Sequence, residues 1–552
     1  SGGLIDIQAG NNITLEAGAN ISAAGRGANS SGGTVNLLAT NDAVAHSGAV
    51  VNSSAGSSGN AGFIEFSAKN NVELAGGQFK VSATAGQSGT VLIDPTDLTI
   101  SSNYYSDGGT HTFSAPQGSI TVGDGITISS RNVGGAGEDQ LNANSIGNSG
   151  NLVLEASHIT LGTGSQVLAQ VEAGSAHTGG SVTITASRAA GTDVDTSFPI
   201  NGGGTASVSA TGAIIRGTTV TISASSSYDD SSALIPLPVT APQATATVNL
   251  TDTEVTASGA LNVSASAQID TTTLSTSPLG TAVAQSTASV DVGGTSVLTS
   301  GGNTSLSAGS LVNTTVKPEG IPAIPLPADA AVAITTIDST STVKVGGSSK
   351  VNATGSLSLS ATNEVNAETV ADASTGGSAA LGGSVAVTVL TTVTQASIED
   401  TAQTSSASLG VSAVSKNTVV NTAKAAAQGA SKQTEAEKTA NASQTEQALD
   451  DYKEEGATSE GSVDVAAAVS IVSLNSRTQA SIGSSALQTT AGLATVSSVA
   501  SNVSTVDADG STVGEGADVG IGAAFALNIG ALTNTALIGD NAQVQANGLT
   551  LQ

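Results

Sequence analysis

The sequence contains no cysteine, no methionine and no tryptophan. Without cysteine there is no disulfide, no thiolate nucleophile and no thiolate-held metal. A long regular core can stand in for disulfides, so this absence remains compatible with an exported protein. Aromatic rings are almost missing too, with four Tyr and six Phe in 552 residues. Positive charge is scarce: 15 Lys and Arg stand against 43 Asp and Glu, for a net charge of -28. Nucleic-acid binding needs a basic stripe, and single strands also need stacking rings, so that class is excluded. Docking on anionic lipid is disfavoured for the same reason. There is no candidate membrane-spanning helix. The uncharged stretch Gly376–Ile398 is rich in Gly, Ser, Thr and β-branched residues, and it reads as buried strand. No signal peptide precedes Ser1, which begins inside a repeat, so an internal or processed piece of a longer chain is expected.

What the chain has is glycine (66 residues) and an abundance of Ser, Thr, Ala, Val and Asn, arranged in repeats. A Gly followed by strand residues and a large apolar residue recurs as Gly3-Leu4-Ile5-Asp6-Ile7, Gly33-Thr34-Val35-Asn36-Leu37, Gly62-Phe63-Ile64-Glu65-Phe66 and Gly89-Thr90-Val91-Leu92-Ile93. The steps between the last residues are 30, 29 and 27, and copies ending at Leu154 and Ile184 are again 30 apart. Fixed self-similarity at this period marks a solenoid, whose units bury their apolar faces only by stacking. The fold class expected is all-β, a parallel β-helix, with a helical or flexible insertion.

Two zones are expected. Residues 1–230 carry the short unit. Residues 231–552 carry a longer one, in which an apolar residue followed by Ser recurs around Val263, Leu306, Leu359, Val411, Val496 and Leu551. Each longer unit, near 50 residues, reads as two short coils, so about 20 coils in a rod of roughly 90–100 Å are expected. Pro-containing segments such as Ile235–Pro238, Ser277–Leu279 and Ile324–Pro327 read as loops leaving one edge of the rod. An Ala-, Lys-, Gln- and Glu-rich insertion over 423–455 favours helix but lacks an apolar face, so it reads as a solvated flap or partner-binding arm.

Residues able to carry chemistry are few. His46, His111, His158 and His177 have no ligand-spaced partners and read as solvated or turn histidines. Gly134–Asn142 matches a calcium-binding nonapeptide, which makes Asp139 a candidate calcium ligand. Only one copy is present, and an ordinary Gly-rich turn is the plainer alternative. Tyr104 and Tyr105 form the only aromatic pair and are the candidate glycan contact, the alternative being a turn packed on the rod. Clustered carboxylates with cations and rings, as a polysaccharide lyase or hydrolase requires, are not visible, so no enzyme is expected.

The Gly-Thr/Leu-Val-x-Ile-x-Ala repeats, the phrase Val91–Ile100 and the stretch Asn142–Leu161 resemble the filamentous-haemagglutinin-type exoproteins of Gram-negative bacteria. The second half is similar to the Ala/Val/Gly/Ser/Thr repeats of giant surface adhesins, as in Val463–Val469 followed by Gln479–Gly483. The resemblance implies a right-handed parallel β-helix, two-partner secretion through an outer-membrane partner, and location outside the cell or on its surface. It implies adhesion to other cells, to cell-surface glycans or to exopolysaccharide, as in a biofilm. A self-assembling filament of copies of the chain is the rival structural expectation. The resemblance carries no site residues over to this chain.

Overall fold

The computed structural model describes residues 2–106, 108–133, 139–190, 203–230, 239–275, 278–318, 328–373, 381–399, 401–426, 463–484, 486–512 and 519–552. Among these, 39 strands and no helix occur, and the named strand pairings are all parallel. The strands gather into sheets of 26, 10 and 3. The chain is a β-solenoid. Each turn contributes a first strand, a returning second strand and a short third strand. The 3-stranded and 10-stranded sheets hold the third strands, one per turn, which counts thirteen complete turns before Gly548–Leu551 opens another.

One inward column runs the length of the rod. Ile7 pairs with Leu37, Leu37 with Phe66, Phe66 with Ile93, and Ile93 with Phe113. Leu154, Ile184 and Ile222 continue it to Val263, Leu306, Leu359, Val411, Val496 and Leu551. The short-unit and long-unit repeats therefore mark the same column. A unit near 50 residues closes one turn, not two, because Leu306 is the direct neighbour of Leu359. The rod is correspondingly shorter than the sequence implies, roughly 60 Å at about 4.8 Å per turn.

The glycine that opens each short unit has a steric cause. A Cβ on Gly62 would lie 1.8 Å from the carbonyl oxygen of Gly33, and one on Gly180 would lie 1.8 Å from that of Gly150. Successive turns approach there too closely for any side chain. The corner between second and third strands sets a different demand. It is left-handed at Gly18, Gly48, Gly125, Gly164 and Gly294, and Asp252 and Thr401 take the same conformation with φ of 52° and 70°.

The second half widens because one corner opens out. In the sixth turn, Leu152–Leu161 is a single strand bent at Ser157. Its first half pairs with Val182–Ala186 and its second half with Ser207–Ala210, so the next turn departs between them and returns. From there the two long strands of each turn lengthen, from 9 residues at Val182–Ala190 to 20 at Val463–Ile482. They form a two-layered blade projecting from the hub. In three successive turns the first strand ends at this edge, where Asp372, Lys424 and Asp509 occupy one register row. The Pro-containing segments 235–238 and 324–327 lie outside the described residues, and Leu279 of the third opens the strand Leu279–Gly293. Ala423 and Lys424 belong to the strand Ser408–Lys424, so the insertion expected from 423 starts later, and 427–455 lies outside the described residues.

Inside the molecule the composition changes with distance from the hub. A continuous apolar cluster runs from Ile13 to Val496 along the hub, and a second cluster, mostly alanine, fills the blade near its outer edge. Between them lies a belt of Ser, Thr and Asn. Ser310 Oγ sits 2.8 Å from Ser339 Oγ, Thr335 Oγ1 2.6 Å from Thr369 Oγ1, and Thr369 Oγ1 2.8 Å from Thr388 Oγ1. Asn421 accepts from the Thr388 hydroxyl at 3.0 Å and donates to Ser470 Oγ at 2.9 Å and the Ala386 carbonyl at 3.0 Å. The sheets stand so close that short side chains bridge them.

Candidate functional site

The aromatic pair divides. Tyr104 is 2% exposed and lies inside the hub, where Phe79, Phe113 and His111 surround it. Its hydroxyl meets His111 Nδ1 at 2.5 Å. Burial drives its pKa up. Its ring is closed to a sugar, which corrects the expectation of a two-ring glycan contact. Tyr105, next along the strand, points outward and is half-buried. The side chains alternate across the strand, so an adjacent pair cannot offer both rings to one ligand.

His111 also departs from expectation. It is fully buried, with no partner at Nε2, and burial lowers its pKa to about 3. It is a neutral core side chain in an aromatic stack, not a solvated histidine.

Asp139 is an exposed turn residue. Its Oδ1 accepts from the backbone N–H of Leu141 at 3.0 Å and of Asn142 at 3.2 Å, and its Oδ2 accepts from Asn142 Nδ2 at 2.9 Å. The Asn142 side-chain bond, then the Leu141 amide, hold its pKa low. Both oxygens are engaged within the turn. Gly134–Glu138 of the nonapeptide lie outside the described residues. Among the described residues no three His, Asp or Glu side chains gather to hold an ion.

Arg131 secures this segment. It is buried, and its guanidinium donates to the Gln140 and Ala143 carbonyls and to Glu172 at 3.3 Å. The Ser145 amide donates to Glu172 Oε2 at 2.8 Å, and that bond leads the causes that lower the Glu172 pKa to about 2. The two residues are 41 apart in sequence, in different turns, and no local motif announces their pairing.

A shallow surface recess lies on the outer face of the returning strands. It is an open groove of about 240 Å³ lined by Gln243, Thr245, Gln285, Thr287, Asp338 and Thr340. These are two register rows, Gln243–Gln285–Asp338 and Thr245–Thr287–Thr340, contributed by three successive turns. Gln243 Nε2 donates to Gln285 Oε1 at 2.9 Å. Parallel in-register stacking brings these residues together over 95 positions of sequence. The groove offers amides, hydroxyls and one carboxylate, the inventory that hydrogen-bonds polyhydroxylated ligands. The opposite face of the blade is polar and charged, with an amide ladder in which Asn366 donates to Asn313 at 2.9 Å and Asn313 to Asp270 at 2.5 Å. Ion pairs Lys317–Glu368 and Lys416–Glu364 lie on the same face.

The fold and these surfaces define the chain as a parallel β-solenoid with a blade. No family model, no curated protein and no solved structure matches it.

Proposed function

We propose that this chain is a stalk segment of an extracellular bacterial adhesin of the filamentous-haemagglutinin type, exported with an outer-membrane partner. The observation that carries the proposal is the unbroken in-register column from Ile7 to Leu551, which makes a stiff rod of repeated, outward-facing polar rows. A rod that repeats weak contacts along its length gains adhesion by multivalency. The contact assigned is a glycan in the Gln285–Asp338 groove, not at the tyrosine pair. With a net charge of -28, neutral or amino sugars are favoured over acidic polysaccharides. A lyase would need a cation beside a uronate, whereas the proposed groove is lined by amides, hydroxyls and one carboxylate.

The test is co-sedimentation of the purified chain with bacterial cells and with neutral, cationic and acidic polysaccharides, with sugar release scored in the same tubes. Binding to neutral or amino-sugar polymers that Gln285→Ala with Asp338→Ala weakens is the expected result. Absence of binding to every polymer and cell would overturn the adhesin, and fragment release would replace it with an enzyme.

A further inference from the structure

Along the outer part of one layer, the blade reverses the usual arrangement of large and small side chains. Along Leu381–Ile398, Ser384, Ala386 and Thr388 point into the interior while Val385, Val387 and Val389 point outward. The next turn repeats this, with Ser470 inward between outward Val469 and Ile471. Because the strands stack in register, the outward residues form columns, Val332–Val385–Val469 and Ile334–Val387–Ile471. Leu279 and Phe525 extend the first column to the turns on either side. Neither column holds a charged residue, in a chain of net charge -28. Towards the hub the face turns polar at Asp338, Asn475 and Arg477. A contiguous apolar patch with a polar rim is the surface signature of an interaction site.

We propose that this aliphatic face is the interface with a second copy of the same chain, packed sheet on sheet about a twofold axis. Three observations select that occupant. The first is size. Three turns with five outward positions each, one with four from Ala330 and one with three from Leu279, spaced about 4.8 Å by about 6.7 Å, give roughly 700 Å² per copy, close to the ~800 Å² per partner of a standard stable interface. The second is periodicity. An identical blade has the same spacing between columns and along strands, so its ridges fit these grooves over the whole patch, whereas a non-repetitive partner would match only locally. The third is charge. Two strongly acidic copies can approach closely only where each is uncharged, and this face is such a place. The groove of the Gln285–Asp338 rows lies on the hub side of the patch, so the pairing does not depend on what that groove binds.

Sedimentation velocity of the whole chain over roughly 1–100 µM tests the pairing. The wild type is expected to form a dimer. Val387→Lys with Ile471→Lys should leave a monomer with unchanged circular dichroism. Should that variant misfold, Val387→Thr with Ile471→Thr keeps the β-branched shape and should raise the dimer dissociation constant roughly tenfold or more. A wild type that stays monomeric throughout the range, or a dimer that the folded variants leave intact, overturns the proposal. Flotation with phosphatidylcholine vesicles forms a second arm. A monomer that floats, and stops floating when the face is substituted, gives the surface to lipid and overturns the second copy.

Discussion

The early turns and the blade share strands, register and direction, yet they are filled by opposite rules. In the first five turns the interior takes Leu37, Phe66, Phe79, Ile93 and Phe113, all fully buried. The three faces of each turn there enclose enough width for rings, and each such side chain contributes about 1.5–3 kcal/mol by leaving water. In the blade two sheets face each other so closely that Ser310 and Ser339 touch. Ala, Ser, Thr and Asn take most inward positions, with Ile337, Leu390 and Val472 among them, and the hydroxyls and amides must then find partners within the belt. Many larger aliphatic residues, among them Val385, Val387 and Ile471, go to the outside. Spacing between sheets, not hydrophobicity alone, decides which face of a strand is buried.

The largest effect should come from placing a charge in the early turns. Phe66→Asp buries an unpaired carboxylate in place of a ring and should destabilise by more than about 4 kcal/mol, measured by thermal or denaturant unfolding. Leu37→Asp should come close to it, since Leu37 is equally buried. Ile7→Asp, in the same column but 41% exposed in the first turn, should cost within about 1 kcal/mol. Equal melting curves for the three variants would break the account of the apolar column.

Acid should separate the two regions next. His111 has a folded pKa of about 3 against 6.5 for a free histidine. Its neutral burial supports the fold fully above pH 6.5, and that contribution is lost as pH falls from 6.5 towards 3, because the unfolded chain binds the proton first. Unfolding at pH 7 and at pH 4 should show this loss, and His111→Phe should remove part of the pH dependence. The belt of Ser, Thr and Asn has no group titrating in that window. An unaltered pH profile in the variant would show that the buried histidine does not govern the acid response.

The smallest predicted effects sharpen the description of the belt. Asn421→Ala leaves Thr388 and Ser470 without their amide partner and should cost about 1–3 kcal/mol, although little apolar area is lost. Thr240 and Thr273 face each other at 2.8 Å, both buried. Replacing both with Val removes donor and acceptor together and should change stability by less than about 1 kcal/mol. A double change costing more than the single Asn421→Ala would show that the belt is held by packing and not by satisfied hydrogen bonds.

Much of the fold was legible in the sequence. The steps of 30, 29 and 27 between Ile7, Leu37, Phe66 and Ile93 are the register steps of adjacent strands. The tetrapeptide Gln395-Ala396-Ser397-Ile398 recurs as Gln479-Ala480-Ser481-Ile482, and the two copies are a direct strand pair. The candidate sites were less legible. Adjacent Tyr104 and Tyr105 look like one surface in a sequence, but a strand sends neighbours to opposite faces. Arg131 and Glu172 meet only because the chain turns once between them. The Gln243–Gln285–Asp338 row joins residues from three turns, each unremarkable where it stands.

The sequence by itself determined the stacking, because a solenoid repeats the same inward residue once per turn and places Gly where two backbones approach within the reach of a Cβ. Gly62 and Gly180 carry that requirement openly. It did not determine how much chain closes a turn in the second half, nor which side of a long strand faces in. Val385, Val387 and Val389 alternate with Ala386 and Thr388 equally well in either orientation, and a shift of one residue reverses them. That choice was made by the close approach of the blade's two layers, where Ala386, Thr388 and Leu390 face in and Val385, Val387 and Val389 face out.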